Sequence, residues 1–137
     1  MMLQSNRNVS LFDKYTLVIP KGLKYHLDGM PGQRVLFITD KKESFNLSFE
    51  EGMPLMDLIP ANSDSERMIT FQACENNKYI HLKRSKNSRV AFFHIKIEDD
   101  DGKTFCLPGQ MIVKENYSWD DGIEPIIVDI VKTIVIA

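Results

Sequence analysis

Apolar and polar residues alternate along much of this chain with a period of two, so strands are expected to dominate. YTLVIP sets Tyr15, Leu17 and Ile19 on one face and stops at Pro20. LKYHLDGMPGQ holds a short extended piece and a turn at Pro31-Gly32. RVLFIT and SFNLSFE flank the polar turn DKKE. Pairing Thr39 with Ser44 would bring Ile38 onto Phe45 and Leu36 onto Leu47, an antiparallel hairpin with one apolar face. In MPLMDLIPAN, Pro54 and Pro60 bracket Leu55, Leu58 and Ile59 at helical spacing, which predicts a helix of one or two turns before the loop NSDSE. Strands follow at Met68 to Glu75, Tyr79 to Arg84, Val90 to Glu98 and Lys103 to Leu107, then continue past Pro108-Gly109 into QMIVKEN.

Two of the connections can be registered from pattern alone. With SKNS as a four-residue loop, Arg84 pairs with Arg89, Leu82 with Ala91 and Ile80 with Phe93. The opposite face then carries Tyr79, His81 and Lys83 against Val90, Phe92 and His94. In IEDDDGKTF, a three-residue loop Asp100-Asp101-Gly102 pairs Ile97 with Phe105 and Ile95 with Leu107, and asks for a positive φ at Gly102. A calcium loop is the other reading of these acids. With Gly102 at position six, position one is Ile97 and position twelve is Pro108, so the ligand pattern fails at both ends.

DDGIEPIIVDIVKTIVIA begins like a helix, with Asp121 as N-cap, Glu124 three residues on and Pro125 in the first turn. Asp129, Lys132 and Thr133 form its polar stripe, while the many β-branched residues favour a strand at the end. The chain is thus expected to fold as one α+β domain over 1–137. Its antiparallel sheet would have about six to eight strands, with a short helix after the first strands and a C-terminal helix from about Ile123 to Lys132 packed on the sheet. Residues 1–12 are expected to be loose.

The 137 residues, 43% of them hydrophobic, are enough to bury a core. A formal charge of −2, from 17 basic and 19 acidic residues, gives no general attraction to nucleic acid or anionic membrane, and neither is expected as a partner. MMLQSNRNVSLF lacks the apolar run of a secretory signal, so a cytoplasmic location is expected. The longest apolar stretch, PIIVDIVKTIVIA, is too short to span a bilayer and is interrupted by Asp129 and Lys132. Cys74 and Cys106 lack metal-ligand spacing and read as two free thiols.

Three stretches together resemble the PsbP-like family, whose members include an extrinsic photosystem subunit, a small Ran-binding import factor and bacterial DcrB-like proteins. YTLVIPKGL resembles its opening strand. SFNLSFEEGMPLMDL is similar to its strand running into the first helix. VAFFHIKIEDDDGKTFCLPG, followed by SWDDGIEPIIVDIVKTIVI, resembles its late hairpin, tryptophan, closing helix and strand. Leu23 stands where an aromatic often follows the first strand. The resemblance implies the fold and a noncatalytic role, since members of this fold mostly bind other proteins or serve as accessory subunits. For the DcrB-like relatives in secretion-system contexts it implies chaperone or immunity work.

Candidate chemistry is sparse. GxSxG, HExxH and P-loop motifs are absent, so neither an enzyme nor a cofactor is expected. Tyr79, His81, Phe92 and His94 put aromatic groups on a sheet face that would otherwise be polar, which suits a protein partner or a second copy. His81 and His94, expected as diagonal neighbours, could instead help hold a small molecule or metal, although two imidazoles fall short of a ligand set. Lys83, Arg84, Lys86 and Arg89 crowd one hairpin tip and could hold an anion. Their plainer reading is a solvated turn that discourages edge-to-edge association.

Overall fold

The computed structural model describes residues 6–51, 68–75, 78–85, 89–115, 117 and 124–136, with side chains described for all of these except 68–75, 81–85 and 124. Among these residues ten strands and one helix follow in the order β1 (Arg7–Leu11), β2 (Tyr15–Ile19), β3 (Leu23–Asp28), β4 (Val35–Asp40), β5 (Phe45–Glu50), β6 (Met68–Glu75), β7 (Lys78–Ser85), β8 (Val90–Glu98), β9 (Thr104–Val113), α1 (Glu124–Val131) and β10 (Val135–Ile136). The class is sheet-rich α+β. The strands do not form one sheet. Seven of them lie in the order β3-β4-β5-β9-β8-β7-β6, and a separate three-stranded sheet has the order β1-β2-β10. Every pairing is antiparallel. The short helix expected within MPLMDLIPAN lies outside the described residues.

The period-two pattern accounts for the layering. Leu36, Ile38, Phe45, Leu47, Phe49, Ala91, Phe93, Ile95, Ile97, Leu107, Met111 and Val113 are buried on one face of the large sheet. Val9, Leu11, Leu17 and Ile19 of the small sheet, with Ile127, Ile130 and Val131 of α1, belong to the same cluster. The small sheet and α1 therefore close over the inner face of the large sheet. Each such side chain contributes about 1.5–3 kcal/mol by leaving water, so this cluster is the main source of stability.

The N-terminal residues are a correction. Arg7–Leu11 is a strand paired to β2, with Val9 and Leu11 buried, so this part of the segment is not loose, while residues 1–5 lie outside the described residues. The sequence hid it because its turn has no glycine. Phe12 and Asp13 both take a positive φ, 55° and 61°, and the Lys14 N–H donates to the Leu11 carbonyl at 3.1 Å. That is a type I′ arrangement, unusual for phenylalanine. Burial of the Phe12 ring, which lies 5.7 Å below the Arg34 guanidinium, offsets the cost.

Both four-residue-loop hairpins are also corrected. The observed pairs are Ile38↔Leu47 and Leu36↔Phe49 in one, and Arg84↔Ala91, Leu82↔Phe93 and Ile80↔Ile95 in the other. Each register slides by two positions. Faces survive such a slide, because side chains repeat every two residues, and so the apolar match could not detect it. In the first hairpin the choice is made by Asp40, whose carboxylate accepts from the Ser44 N–H at 2.7 Å, and by Glu43 at φ 55°. The IEDDDGKTF turn agrees with expectation. Ile97 pairs with Phe105, Ile95 pairs with Leu107, and Gly102 has φ 81°. The Asp99 carboxylate accepts from the Asp101 and Lys103 N–H groups at 2.9 and 2.8 Å, which closes the loop.

Two further features hold the layers together. Arg34 forms a two-pronged pair with Glu51, at 2.8 Å from Nε to Oε1 and 3.0 Å from Nη2 to Oε2, and reaches Asp13 at 3.1 Å. This joins the end of the β3–β4 connection to the turn of the small sheet. At the other end, the Thr133 hydroxyl accepts from the Val18 N–H at 2.9 Å and donates to the Ile130 carbonyl at 2.6 Å, tying the C-terminus of α1 to β2. No helix among the described residues is long and apolar enough to cross a membrane.

Candidate functional site

The outer face of the large sheet is the surface opposite the core. Register alone lays out a row across it, His26, Phe37, Ser48, Gln110, Phe92 and Lys83, on six successive strands. The His26 and Phe37 rings stack at 5.9 Å and 21°. Ser48 is only 3% exposed, and its hydroxyl donates to the Gln110 carbonyl at 3.4 Å. Phe37 and Phe92 are half-buried, and neither belongs to the core cluster. A second row runs Asp28, Val35, Glu50, and further across the sheet Pro108, His94, His81 and Gln72. Burial pushes the Glu50 carboxyl above its ordinary range. Half-buried Ile112 and Val90 extend the apolar area on a third row.

Tyr79, His81, Phe92 and His94 all fall on this face, as expected from strand alternation. Tyr79 is 47% exposed and lies opposite Lys96. His81 and His94 are not diagonal. They stand directly opposite each other, because of the same two-position slide. Among the described residues no group of three or more histidine, cysteine, aspartate or glutamate side chains is placed to hold a metal ion. Cys106 is a free thiol whose pKa is raised by partial burial, with Lys96 opposing the shift.

Two of the four basic residues expected at the hairpin tip are placed by register and one by its contacts. Positions 83 and 84 are successive in β7 and so lie on opposite faces, Lys83 opposite Phe92 and Arg84 opposite the buried Ala91. Arg89 is committed elsewhere. Its guanidinium donates to the carbonyls of Lys114 at 2.6 Å and Tyr117 at 2.9 Å. Lys86 lies outside the described residues.

The sequence reading missed the other half of the face. Val35, Phe37 and His26 continue it onto β4 and β3, where a groove of about 410 Å³ is lined by Lys24, His26, Phe37, Thr39, Asn46 and Lys114. The signal was present in RVLFIT, since placing Leu36 and Ile38 inward sends a phenylalanine outward. The class defined by this geometry is a two-layer α+β domain that presents a broad, partly apolar sheet face. No protein-family model matches the chain, and neither a curated protein nor a solved structure does.

Proposed function

We propose that the protein is a noncatalytic binding or accessory module that recognises a protein partner through the outer face of its seven-stranded sheet. The observation that carries this reading is the row from His26 to Phe92. It places two half-buried phenylalanines, flanked by Val35 and Ile112, on the side of the sheet away from the core. Aromatic groups set among smaller polar ones on a rigid sheet suit a protein surface better than a small solute. The PsbP-like resemblance supports the same reading by analogy of fold. A chaperone or immunity role would be one form of it.

The test is a comparison of captured proteins from the native host. Phe37→Glu and Phe92→Glu variants should keep the wild-type melting temperature and lose the proteins that the wild-type chain retains. Retention of the same proteins by both variants would refute the reading. A second reading, binding of a small molecule or metal ion by His81 and His94, is favoured by the direct opposition of these residues in the register. Zinc titration followed by melting would decide it. The reading requires a stabilisation by zinc that His81→Ala removes.

A further inference from the structure

The strand β3 is one edge of the seven-stranded sheet, and all five residues from Lys24 to Asp28 are exposed. Two observations fix which way its backbone points. The Glu51 N–H donates to the Arg34 carbonyl at 2.9 Å, so the even-numbered positions of β4 face β5 and the odd-numbered ones face β3. By the register, Lys24, His26 and Asp28 then bond to β4, while Leu23, Tyr25 and Leu27 point outward. Leu23 independently agrees. Its N–H donates to the Pro20 carbonyl at 3.3 Å, and its carbonyl accepts from the Arg7 guanidinium. Among the described residues no hydrogen bond takes up the outward N–H and C=O groups of Tyr25 and Leu27, which form a template for another strand.

The side chains add to this. Tyr25 and Leu27 lie on the inner face opposite Ile38 and Leu36, both fully buried, yet they are themselves 41% and 46% exposed. Among the described residues the small sheet reaches this edge through Arg7, whose guanidinium lies 5.5 Å from the Tyr25 ring centroid and still leaves both side chains partly open. On the outer face β3 carries Lys24, His26 and Asp28, a cation, an imidazole and an anion in symmetric order.

We infer that β3 pairs antiparallel with β3 of a second copy of this chain, about a two-fold axis through His26, and joins two seven-stranded sheets into one. In this register Tyr25 lies opposite Leu27 of the other copy, Lys24 opposite its Asp28, and the two His26 residues face each other. Each Tyr25–Leu27 pair exchanges two backbone hydrogen bonds. Each Lys24, which pairs with Glu43 of its own chain at 3.2 Å, gains one Asp28 of the other copy, and the exposed apolar side chains meet across the seam. The neighbouring registers are poorer. Centring on Tyr25 would oppose Leu27 to Leu23, whose edge groups are already occupied. Centring on Leu27 would oppose Tyr25 to Gly29, which has left the strand at φ 94°. The occupant is therefore selected by the palindromic charge order of β3 together with the parity of its free hydrogen-bonding groups. The seam shares Lys24, His26 and Asp28 with the outer face, but its test reads self-association through β3 whereas the partner reading is tested at Phe37 and Phe92, so the two can fail separately.

The test uses the full chain with Cys74 and Cys106 changed to serine. In this background His26→Cys should form a disulfide-linked dimer under mild oxidation, because directly opposed residues of a non-hydrogen-bonded pair approach closely. Lys24→Cys alone should not, whereas Lys24→Cys mixed with Asp28→Cys should form the heterodimer. Charge reversal in the native background gives a second measurement. Lys24→Glu and Asp28→Lys chains should each be monomeric by light scattering and should associate when mixed, since only the mixture restores opposite charges across the seam. Cross-linking of His26→Cys no faster than Lys24→Cys would overturn the inference. So would charge-reversed chains that associate as the wild type does, or an edge that pairs only with a foreign extended peptide.

Discussion

Replacing Gly109 by alanine tests the closest packing in the large sheet. Gly109 pairs with Phe49 on one side and Phe93 on the other, in the middle of the central strand β9. A Cβ built there falls 2.2 Å from the Ser48 carbonyl oxygen and 2.5 and 2.8 Å from two atoms of the Phe93 ring. The carbonyl is part of the ladder and cannot rotate away, so β5 and β9 must separate or the ring must leave. Displacing the ring would break the edge-to-face contact of Phe93 with Phe49, at 5.7 Å and 77°. Overpacking of this kind costs about 1–3 kcal/mol, and loss of the aromatic contact adds roughly 0.5–1.5 kcal/mol. The reduced freedom of the unfolded chain returns about 0.4–1 kcal/mol. The net destabilisation is about 2–3 kcal/mol, which for a chain of this size lowers the melting temperature by roughly 10 °C. Thermal melts followed by circular dichroism measure this directly. Adding Phe93→Leu should make the double variant less destabilised than the sum of the two single changes, because the ring contacts disappear. A Gly109→Ala variant that melts at or above the wild-type temperature would refute the reasoning.

Other consequences can be checked in the same way. Glu51 is held at about 2 by the hydrogen-bonded Arg34 guanidinium, well below its ordinary 4.5. The stabilisation it brings is full above the ordinary value and is lost as pH falls through about 2. Wild type should therefore melt above Glu51→Gln at neutral pH, and the gap should close between about pH 4.5 and 2; a gap independent of pH would contradict the pairing. Thr133→Val removes the acceptor for the Val18 N–H and should cost about 1 kcal/mol in urea titrations, more if that N–H finds no water. Cys106, its pKa raised, should alkylate more slowly than a free cysteine thiol at mildly basic pH, and a faster reaction would count against the placement of the thiol.

The features legible in the sequence are those set by short-range geometry. Asp99 to Lys103 closes a loop that the flanking Ile97 and Phe105 demand, and Gly102 alone suits its left-handed position. α1 begins within a residue of expectation because Glu124 and Pro125 mark a helix start. Faces were legible too, which is why Tyr79, His81, Phe92 and His94 fall together. The register of the two four-residue-loop hairpins was not, since sliding Leu82 from Ala91 to Phe93 exchanges one apolar neighbour for another. The division into two sheets was equally hidden. It depends on Arg34, clamped by Glu51, reaching Asp13 in the turn of the small sheet, and on a left-handed Phe12 buried beneath the same guanidinium. The strand at Lys103 to Leu107 is expected to continue past Pro108-Gly109, and β9 runs through this pair as one element. Proline gives up a ladder donor there, and glycine makes room for Phe93. Arg89 looked free at a basic tip because carbonyls have no letter in a sequence.

The partnership of β2 with β10 also orders events in time. Tyr15 and Thr16 pair with Ile136 and Val135, among the most distant pairings in the chain. A ribosome releases β2 early and β10 more than a hundred residues later, so the small sheet waits for the last part of the domain to emerge. Until then the layer that covers the large sheet lacks one of its three strands and the helix that buries Ile127, Ile130 and Val131. The nascent domain would meet chaperones with its inner face partly open, and its final closure would be a single late step governed by long-range pairing.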